Sequence, residues 1–170
     1  MKLNNLNGFT LANSERIWLI SDTHFNHANI IKHCDRPFNS MEEMNKTMID
    51  NWNAVVGKND LIIHLGDFAF RDARSFLPKL NGIILLVLGN HDNTETRNSG
   101  ILYTDILEMG NIILTHRPIP IEERKQGKIY LHGHSHNKEK DNVCVENTDY
   151  KPIRLLDAIK QKMERNNGKS

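Results

Sequence analysis

The sequence predicts a mixed α/β fold, and three observations carry the prediction. Short apolar runs at residues 16–21, 61–65 and 83–88 are typical of strands that are covered on both faces. A segment with helical spacing separates the first two runs. After the third run the predicted strands follow one another closely, which favours antiparallel pairing. We therefore expect a parallel α/β half that leads into an antiparallel β half.

The predicted helix between the first two strands has recognisable ends. Ser40 and Glu43 form a capping-box pattern, and the helix ends before Gly57. Between these points, apolar residues recur at helical spacing: Met41, Met44, Met48, Trp52 and Val55. A second helix is expected after Asp67, and Pro78 keeps it short.

The second half of the chain is expected to hold shorter elements. Gly110 and Asn111 form a plausible hairpin turn between strands at 105–109 and 112–115. Further strands are predicted at 129–131 and 143–146, followed by a helix over about 154–163. The 170 residues suffice for one sizeable core, so we expect a single domain with its core at about 16–163. The polar residues 164–170 are expected to fray.

Composition narrows the classes of function. The net charge of the chain is +1, whereas a dedicated nucleic-acid-binding domain usually has a strong excess of basic residues. The N-terminus has no signal-peptide core, and no apolar stretch approaches the roughly eighteen residues of a membrane span. We therefore expect a soluble cytoplasmic protein with no membrane partner. Cys34 and Cys144 have no CxxC spacing, and we expect free thiols whose role the sequence does not define.

Polar clusters that each follow an apolar run contain the candidate functional residues. They are Asp22-Thr23-His24, Gly66-Asp67, Gly89-Asn90-His91-Asp92, Thr115-His116 and Gly133-His134-Ser135-His136. Because ligands bind beyond the carboxyl ends of strands in open α/β sheets, we expect these clusters to meet. Carboxylate, amide and imidazole groups in this number suit two divalent cations, and the lack of cysteine argues against a structural zinc site. A single histidine is more often a core or surface residue, but five clusters together favour a metal centre.

The clusters resemble the motifs of the calcineurin-like metallophosphoesterase superfamily, which run D-x-H, G-D, G-N-H-D/E, a lone H, and G-H-x-H. The resemblance covers residues 16 to about 150 without a substitution in these motifs. It looks closest to small, single-domain prokaryotic or phage-type members. It implies a four-layer αββα sandwich, with two mixed β-sheets flanked by helices and a metal site at the carboxyl ends of strands.

The resemblance also implies the metal ligands, position by position. The first metal would be held by Asp22, His24, Asp67 and His136. The second would share Asp67 and take Asn90, His116 and His134. The implied cofactors are two divalent metal ions, with Mn²⁺ preferred and iron, zinc, nickel or cobalt as alternatives.

By the same resemblance, the activity is hydrolysis of a phosphodiester or phosphomonoester bond in a small phosphorylated or nucleotide-like substrate. A hydroxide that bridges the metals would attack phosphorus. His91 would protonate the leaving oxygen, and Asp92 would orient an imidazole, that of His91. Substrate contacts are predicted for three residues that follow the first motif, namely Asn26, His27 and Arg36.

Two alternative functions remain open at this point. A metal-dependent nuclease would use the same chemistry, although such nucleases usually show a capping domain and a basic surface. A noncatalytic metal-binding scaffold of the same fold would tend to lose ligands or the motif histidine, whereas this chain has both. The sequence leaves open the physiological substrate, the preference for monoester or diester, the native metal, and the choice between monomer and homodimer.

Overall fold

The computed structural model describes residues 15–136 and 141–167 of the chain. Within this part the strands form two β-sheets, and the larger sheet has five strands. Strands β1 (Ile17–Ile20), β2 (Leu61–His64), β3 (Ile83–Val87) and β4 (Leu102–Thr104) pair in parallel in the order 4-3-2-1. A short strand at Ile153–Arg154, named β8 for its place in the chain, pairs antiparallel with β1. This sheet is therefore mixed.

The smaller sheet contains the three remaining strands, β5 (Leu107–Met109), β6 (Ile112–Leu114) and β7 (Ile129–Leu131). β5 and β6 form the predicted antiparallel hairpin, but β6 and β7 are parallel. The expectation of a wholly antiparallel second half is therefore wrong. In the smaller sheet, the connection between β6 and β7 is long enough for the chain to cross over and enter β7 in the same direction as β6. In the larger sheet, β4 pairs in parallel with β3.

Helices cover the outer face of the first sheet. They are α1 (Ala28–His33), α2 (Met41–Val55) and α3 (Ala73–Phe76). α2 begins as predicted, because the Ser40 hydroxyl accepts a hydrogen bond from the Glu43 backbone N–H (3.1 Å). The buried residues Met44, Met48 and Trp52 of α2 pack in one core cluster with apolar residues of β1, β2 and β3.

A second core lies between the two sheets. The inner faces of β1, β2 and β3 meet those of β5, β6 and β7, and the helix α5 (Leu155–Asn167) adds Leu155, Ala158 and Ile159. These layers confirm the predicted fold of two mixed sheets with flanking helices. None of the helices in the described part of the chain is long and apolar enough to cross a membrane.

Several elements differ from the prediction. α1, β4, β8 and the single-turn helix α4 (Thr94–Arg97) were not predicted, since each is too short to show a hydrophobic period. The predicted strand at 143–146 is reduced to an isolated bridge between Ser21 and Cys144, and a 3₁₀ turn follows at Val145–Asn147. α5 continues to Asn167, beyond the predicted end near residue 163, and residues 168–170 lie outside the described part. The expected fraying of residues 164–170 stays a prediction.

Candidate metal centre

Backbone hydrogen bonds between loops draw the polar clusters together at the carboxyl ends of the strands. The Asp22 N–H donates to the Gly66 carbonyl (2.9 Å), and the His24 N–H donates to the Asp67 carbonyl (3.0 Å). In the smaller sheet, the Gly133 N–H donates to the His116 carbonyl (3.0 Å). The structure thereby brings together every residue predicted as a ligand: Asp22, His24, Asp67, Asn90, His116, His134 and His136.

The two oxygens of the Asp22 carboxylate have different surroundings. Oδ2 accepts hydrogen bonds from the Ser21 hydroxyl, the His134 backbone N–H (2.8 Å) and the Cys144 thiol (3.0 Å). Oδ1 is buried without a hydrogen-bond partner among the described residues, and it lies 3.4 Å from His136 Nε2. One oxygen thus fixes the carboxylate, while the other is available to a ligand.

Asp67 is arranged in a similar way, and one of its oxygens faces both halves of the centre. Oδ1 accepts a hydrogen bond from the His91 backbone N–H (2.8 Å). Oδ2 lies 3.6 Å from His24 Nε2 and 3.5 Å from His116 Nε2. Burial raises the pKa of the Asp67 carboxyl, and the nearby His116 imidazole offsets only part of this effect. A positive charge beside Oδ2 would stabilise the ionised form.

Hydrogen bonds at Nδ1 orient two of the imidazoles. His116 Nδ1 lies 2.8 Å from the Leu65 carbonyl, which can only accept, so His116 Nε2 carries the lone pair. That Nε2 lies 3.0 Å from Asn90 Oδ1. His136 Nδ1 lies 3.0 Å from the Glu146 carboxylate, with Nε2 toward the centre. Such a hydrogen bond on the far ring nitrogen is typical of metal-binding histidines.

The pKa values of His24 and His136 shift in opposite directions. Burial and the Arg36 guanidinium lower the pKa of His24 well below its usual range, so its imidazole is neutral. Burial also disfavours the His136 imidazolium, but hydrogen bonds with Cys34 and Glu146 raise the pKa of His136 to about 10. Because a metal binds only a deprotonated imidazole nitrogen, a cation at the centre would have to displace the proton from His136 Nε2.

Unpaired buried atoms test whether this centre fits a metal. Asp22 Oδ1 and His24 Nε2 are buried without hydrogen-bond partners in the described part of the chain, although they lie 3.8 Å apart. Leaving such atoms unpaired costs free energy, and a cation between them would remove that cost. The ligand atoms of Asp22, His24 and Asp67 lie within 4.8 Å of one another, as do those of Asp67, His116 and His134. The residues therefore fit two neighbouring cations.

The backbone at the centre is strained. Five of the candidate ligands have left-handed φ values, which are Asp22 (59°), His24 (48°), Asp67 (56°), His134 (70°) and His136 (48°). Residues other than glycine in this region cost about 1 kcal/mol or more each. Strain of this kind is common at functional sites, where the surrounding structure enforces it.

Glycines allow the loops to approach one another closely. A Cβ atom at Gly89 would collide with the Asp67 carboxylate, and one at Gly133 would collide with Ser21 Oγ and the Asp22 carboxylate. Both positions follow strands that end at the centre. The glycine in each motif is therefore required by packing against a candidate ligand.

His91 lies exposed at the rim of the centre. Its ring is 5.5 Å from the ring of His24 and 6.5 Å from that of His27. Its backbone is fixed by the hydrogen bond to Asp67, while the imidazole is open to solvent. The side chain can therefore meet a substrate that enters from outside.

The prediction that Asp92 orients the His91 imidazole is wrong. The Asp92 side chain is buried, and its Oδ2 accepts backbone N–H groups of Asp67 (2.8 Å) and Gly89 (2.7 Å). Its Oδ1 accepts the Phe68 N–H (3.0 Å). Asp92 therefore ties the loop after β2 to the loop after β3, and it acts on the centre by holding the backbone around Asp67.

Arg36 was predicted to contact substrate, but the structure places it beneath the centre. Its buried guanidinium donates to the Thr23 carbonyl (3.1 Å), the Asp22 carbonyl (2.7 Å) and the Glu146 carboxylate (2.8 Å). These bonds fix the loop after β1. Glu146, a site residue that the sequence motifs do not include, joins Arg36 to His136. The available signal for it was an acidic side chain at the end of a predicted strand, as for the other clusters.

The other two predicted substrate contacts lie at the rim. Asn26 is half-buried, and its side-chain oxygen accepts a hydrogen bond from Asn45 Nδ2 (2.9 Å). The His27 ring lies 5.4 Å from that of His24 and stacks on Phe70 at 4.4 Å with an interplanar angle of 11°. Both side chains border the centre, and their contact with substrate stays a prediction.

Comparison with known proteins gives matches over most of the chain. A model of the calcineurin-like phosphoesterase family matches residues 15–111. The chain is 40% identical over 167 residues to an uncharacterized protein of Methanocaldococcus jannaschii. This alignment covers 88% of this chain and 92% of the relative. It is more distantly similar, at 25% identity over 160 residues, to the gene 66 protein of Mycobacterium phage L5, with 71% of this chain and 77% of the relative covered.

A solved structure agrees with these sequence matches. The crystal structure of a protein of unknown function from Aquifex aeolicus shares 32% identity with this chain. The match covers 85% of this chain and 97% of the other, with a TM-score of 0.67. Since the family model also matches more than half of the chain and the strand ends place its motifs together, the chain belongs to the calcineurin-like phosphoesterase family.

Proposed function

We propose that this protein is a dinuclear-metal phosphoesterase that hydrolyses a phosphodiester or phosphomonoester bond in a small phosphorylated or nucleotide-like substrate. The observation that supports it best is the position of Asp67 Oδ2, which is 3.6 Å from His24 Nε2 and 3.5 Å from His116 Nε2. In two-metal hydrolases the ions lie about 3.5–4 Å apart, close enough for one carboxylate to bind both. The family, whose members are phosphoesterases, supports phosphate-ester hydrolysis in general.

The proposed ligand set is the one that the family motifs imply, and the proximity of these side chains at the centre supports it. Asp22, His24, Asp67 and His136 would hold the first cation. The second would take Asp67 and three further residues, which are Asn90, His116 and His134. Bound divalent cations would supply an activated water and neutralise phosphate oxygens. Imidazole with carboxylate favours manganese, iron, zinc, nickel or cobalt over calcium, and we propose Mn²⁺ first.

Two side chains at the rim would act on the substrate directly. The exposed His91 imidazole would donate a proton to the leaving oxygen, a contribution of roughly 10²–10⁴-fold in rate. Arg117 Nη1 lies 3.0 Å from His134 Nε2. With His134 acting as a metal ligand, the Arg117 guanidinium would instead face the substrate, where its planar donors suit a phosphate oxygen.

Metal counting combined with turnover tests this proposal. Protein freed of metal by a chelator should recover two Mn²⁺ ions per chain by elemental analysis, together with turnover of bis-p-nitrophenyl phosphate or p-nitrophenyl phosphate. Asp67→Ala should lose metal and turnover, whereas Asp50→Ala on the exposed side of α2 should keep both. Full metal occupancy in Asp67→Ala would contradict the shared-ligand assignment.

The same experiment separates the alternatives. Two bound metals without turnover of either ester would favour the noncatalytic scaffold. Cleavage of single-stranded DNA or RNA under the same conditions, with slower turnover of the nitrophenyl esters, would favour a metal-dependent nuclease.

A further inference from the structure

A groove of about 400 Å³ opens beside the second half of the centre. Its lining includes the candidate ligands Asn90 and His116, together with Arg117. Its walls are mostly apolar, with Leu88 after β3, Ile106 between β4 and β5, and Pro118, Ile119 and Pro120 after β6. A groove of this size and lining suits one small organic group whose end reaches the metal ligands.

Hydrogen bonds hold the groove walls in place. The Leu88 N–H donates to the Thr104 carbonyl (2.9 Å), and the Thr104 hydroxyl donates to the Ile106 carbonyl (2.9 Å). On the other wall, the Thr115 hydroxyl donates to the Arg117 carbonyl (2.7 Å). The Ile106 side chain remains 52% exposed, although large aliphatic side chains are usually covered. The groove therefore exists before any substrate binds.

The leaving group belongs to a different part of the rim. His91, the proposed proton donor, has its ring beside those of His24 and His27, on the side of the first metal site. The groove instead borders His116 and Arg117, on the side of the second. A substrate group that lies in the groove is therefore the group that stays attached to phosphorus when the leaving oxygen departs past His91.

We propose, on the basis of the function above, that the substrate is a phosphodiester and that its retained organic group lies in this groove. Water oxygen forms a bond to phosphorus and releases a proton to solvent, while the bond from phosphorus to the leaving oxygen breaks. The leaving oxygen takes a proton from His91, which regains one from solvent. The products are an alcohol and a phosphomonoester that carries the retained group. A phosphomonoester substrate has no retained organic group, so the apolar walls would have nothing to contact.

Two diesters with the same leaving group test this assignment. Bis-p-nitrophenyl phosphate retains an aromatic ring on phosphorus, whereas methyl p-nitrophenyl phosphate retains only a methyl group. Ile106→Ser and the groove-filling Ile106→Trp should each lower the ratio of kcat/KM for the aryl diester over the methyl diester at least about tenfold, because small changes in an apolar pocket have effects of this size. Ile121→Ser is the matched control, since Ile121 is 81% exposed and lies outside the groove lining.

Each outcome decides a separate question. A ratio that both Ile106 variants leave unchanged would overturn the groove assignment. A parent protein that hydrolyses p-nitrophenyl phosphate with a higher kcat/KM than either diester would overturn the diester assignment. A metal-loaded parent without turnover of all three esters would overturn the proposed function itself, and the inference with it.

Discussion

Replacing Asp92 by Asn tests how the loops around the metal centre are held. The buried carboxylate accepts backbone N–H groups from Asp67 (2.8 Å) and Gly89 (2.7 Å) at Oδ2, and from Phe68 (3.0 Å) at Oδ1. Asparagine keeps the shape of the side chain but has one acceptor oxygen. If that oxygen keeps the two bonds at Oδ2, its NH₂ group faces the Phe68 N–H, and two donors meet.

The expected loss of stability follows from these contacts. A lost hydrogen bond to a charged group costs about 1.5–3 kcal/mol, and a buried donor without a partner costs about 1–3 kcal/mol. An opposing effect is that burial raises the pKa of Asp92, so the neutral amide avoids the desolvation of a carboxylate. We expect a net loss of about 2–3 kcal/mol in the free energy of unfolding.

Urea unfolding of metal-free protein measures this loss. Asp50→Asn, on the exposed side of α2, is the matched control and should change the free energy of unfolding by less than about 0.5 kcal/mol. Turnover of Asp92→Asn should also fall, because the backbone around Asp67 shifts. A variant as stable as the parent, with slower turnover and an altered pH profile, would refute this reasoning and restore the interpretation that Asp92 orients His91.

Three further substitutions have distinct expected results. His91→Ala should keep two bound metals and slow turnover by about 10²–10⁴-fold, and near-parental turnover would remove His91 from the mechanism. Glu146→Gln should weaken Mn²⁺ affinity about 10–100-fold in a titration, because the carboxylate orients the imidazole of the candidate ligand His136; unchanged affinity would contradict this. Although burial acts in the opposite direction, hydrogen bonds from Lys162 and Arg124 lower the pKa of Asp141. A lowered pKa stabilises the folded state above the unfolded value of about 3.9 and ceases to do so as pH falls through the folded value. Asp141→Asn should therefore be less stable than the parent at pH 6, with a difference that narrows below about pH 4; a constant difference would exclude the ionised carboxylate as its cause.

The parts of the fold that sequence predicts are those with strong local signals. β1, β2 and β3 are apolar because both faces of the sheet are covered, and the start of α2 depends on a hydrogen bond between two residues only three positions apart. β8 has two residues, and its pairing with β1 links distant parts of the chain. No local pattern reports such a pairing, and tertiary contacts decide it.

The candidate ligands were predictable for a similar reason, since each directly follows a strand. Their supporting residues were not, because a side chain in a loop has the same local sequence whether it faces solvent or the protein interior. Arg36 and Glu146 form a hydrogen bond although they are far apart in the chain, and that contact requires the folded structure. Asp92 was misinterpreted because its nearest neighbour in sequence, His91, is not its partner in space.

The candidate ligands come from both sheets, with Asp22 near the start of the described chain and His136 beyond β7. A cation held by these two residues would act as a reversible cross-link between distant segments. At a free concentration one hundred times its Kd, such an ion stabilises the folded state by about 2.7 kcal/mol, a large part of the stability of an ordinary domain. A shortage of divalent cations would therefore shorten the lifetime of the folded protein against proteolysis, in addition to stopping its reaction.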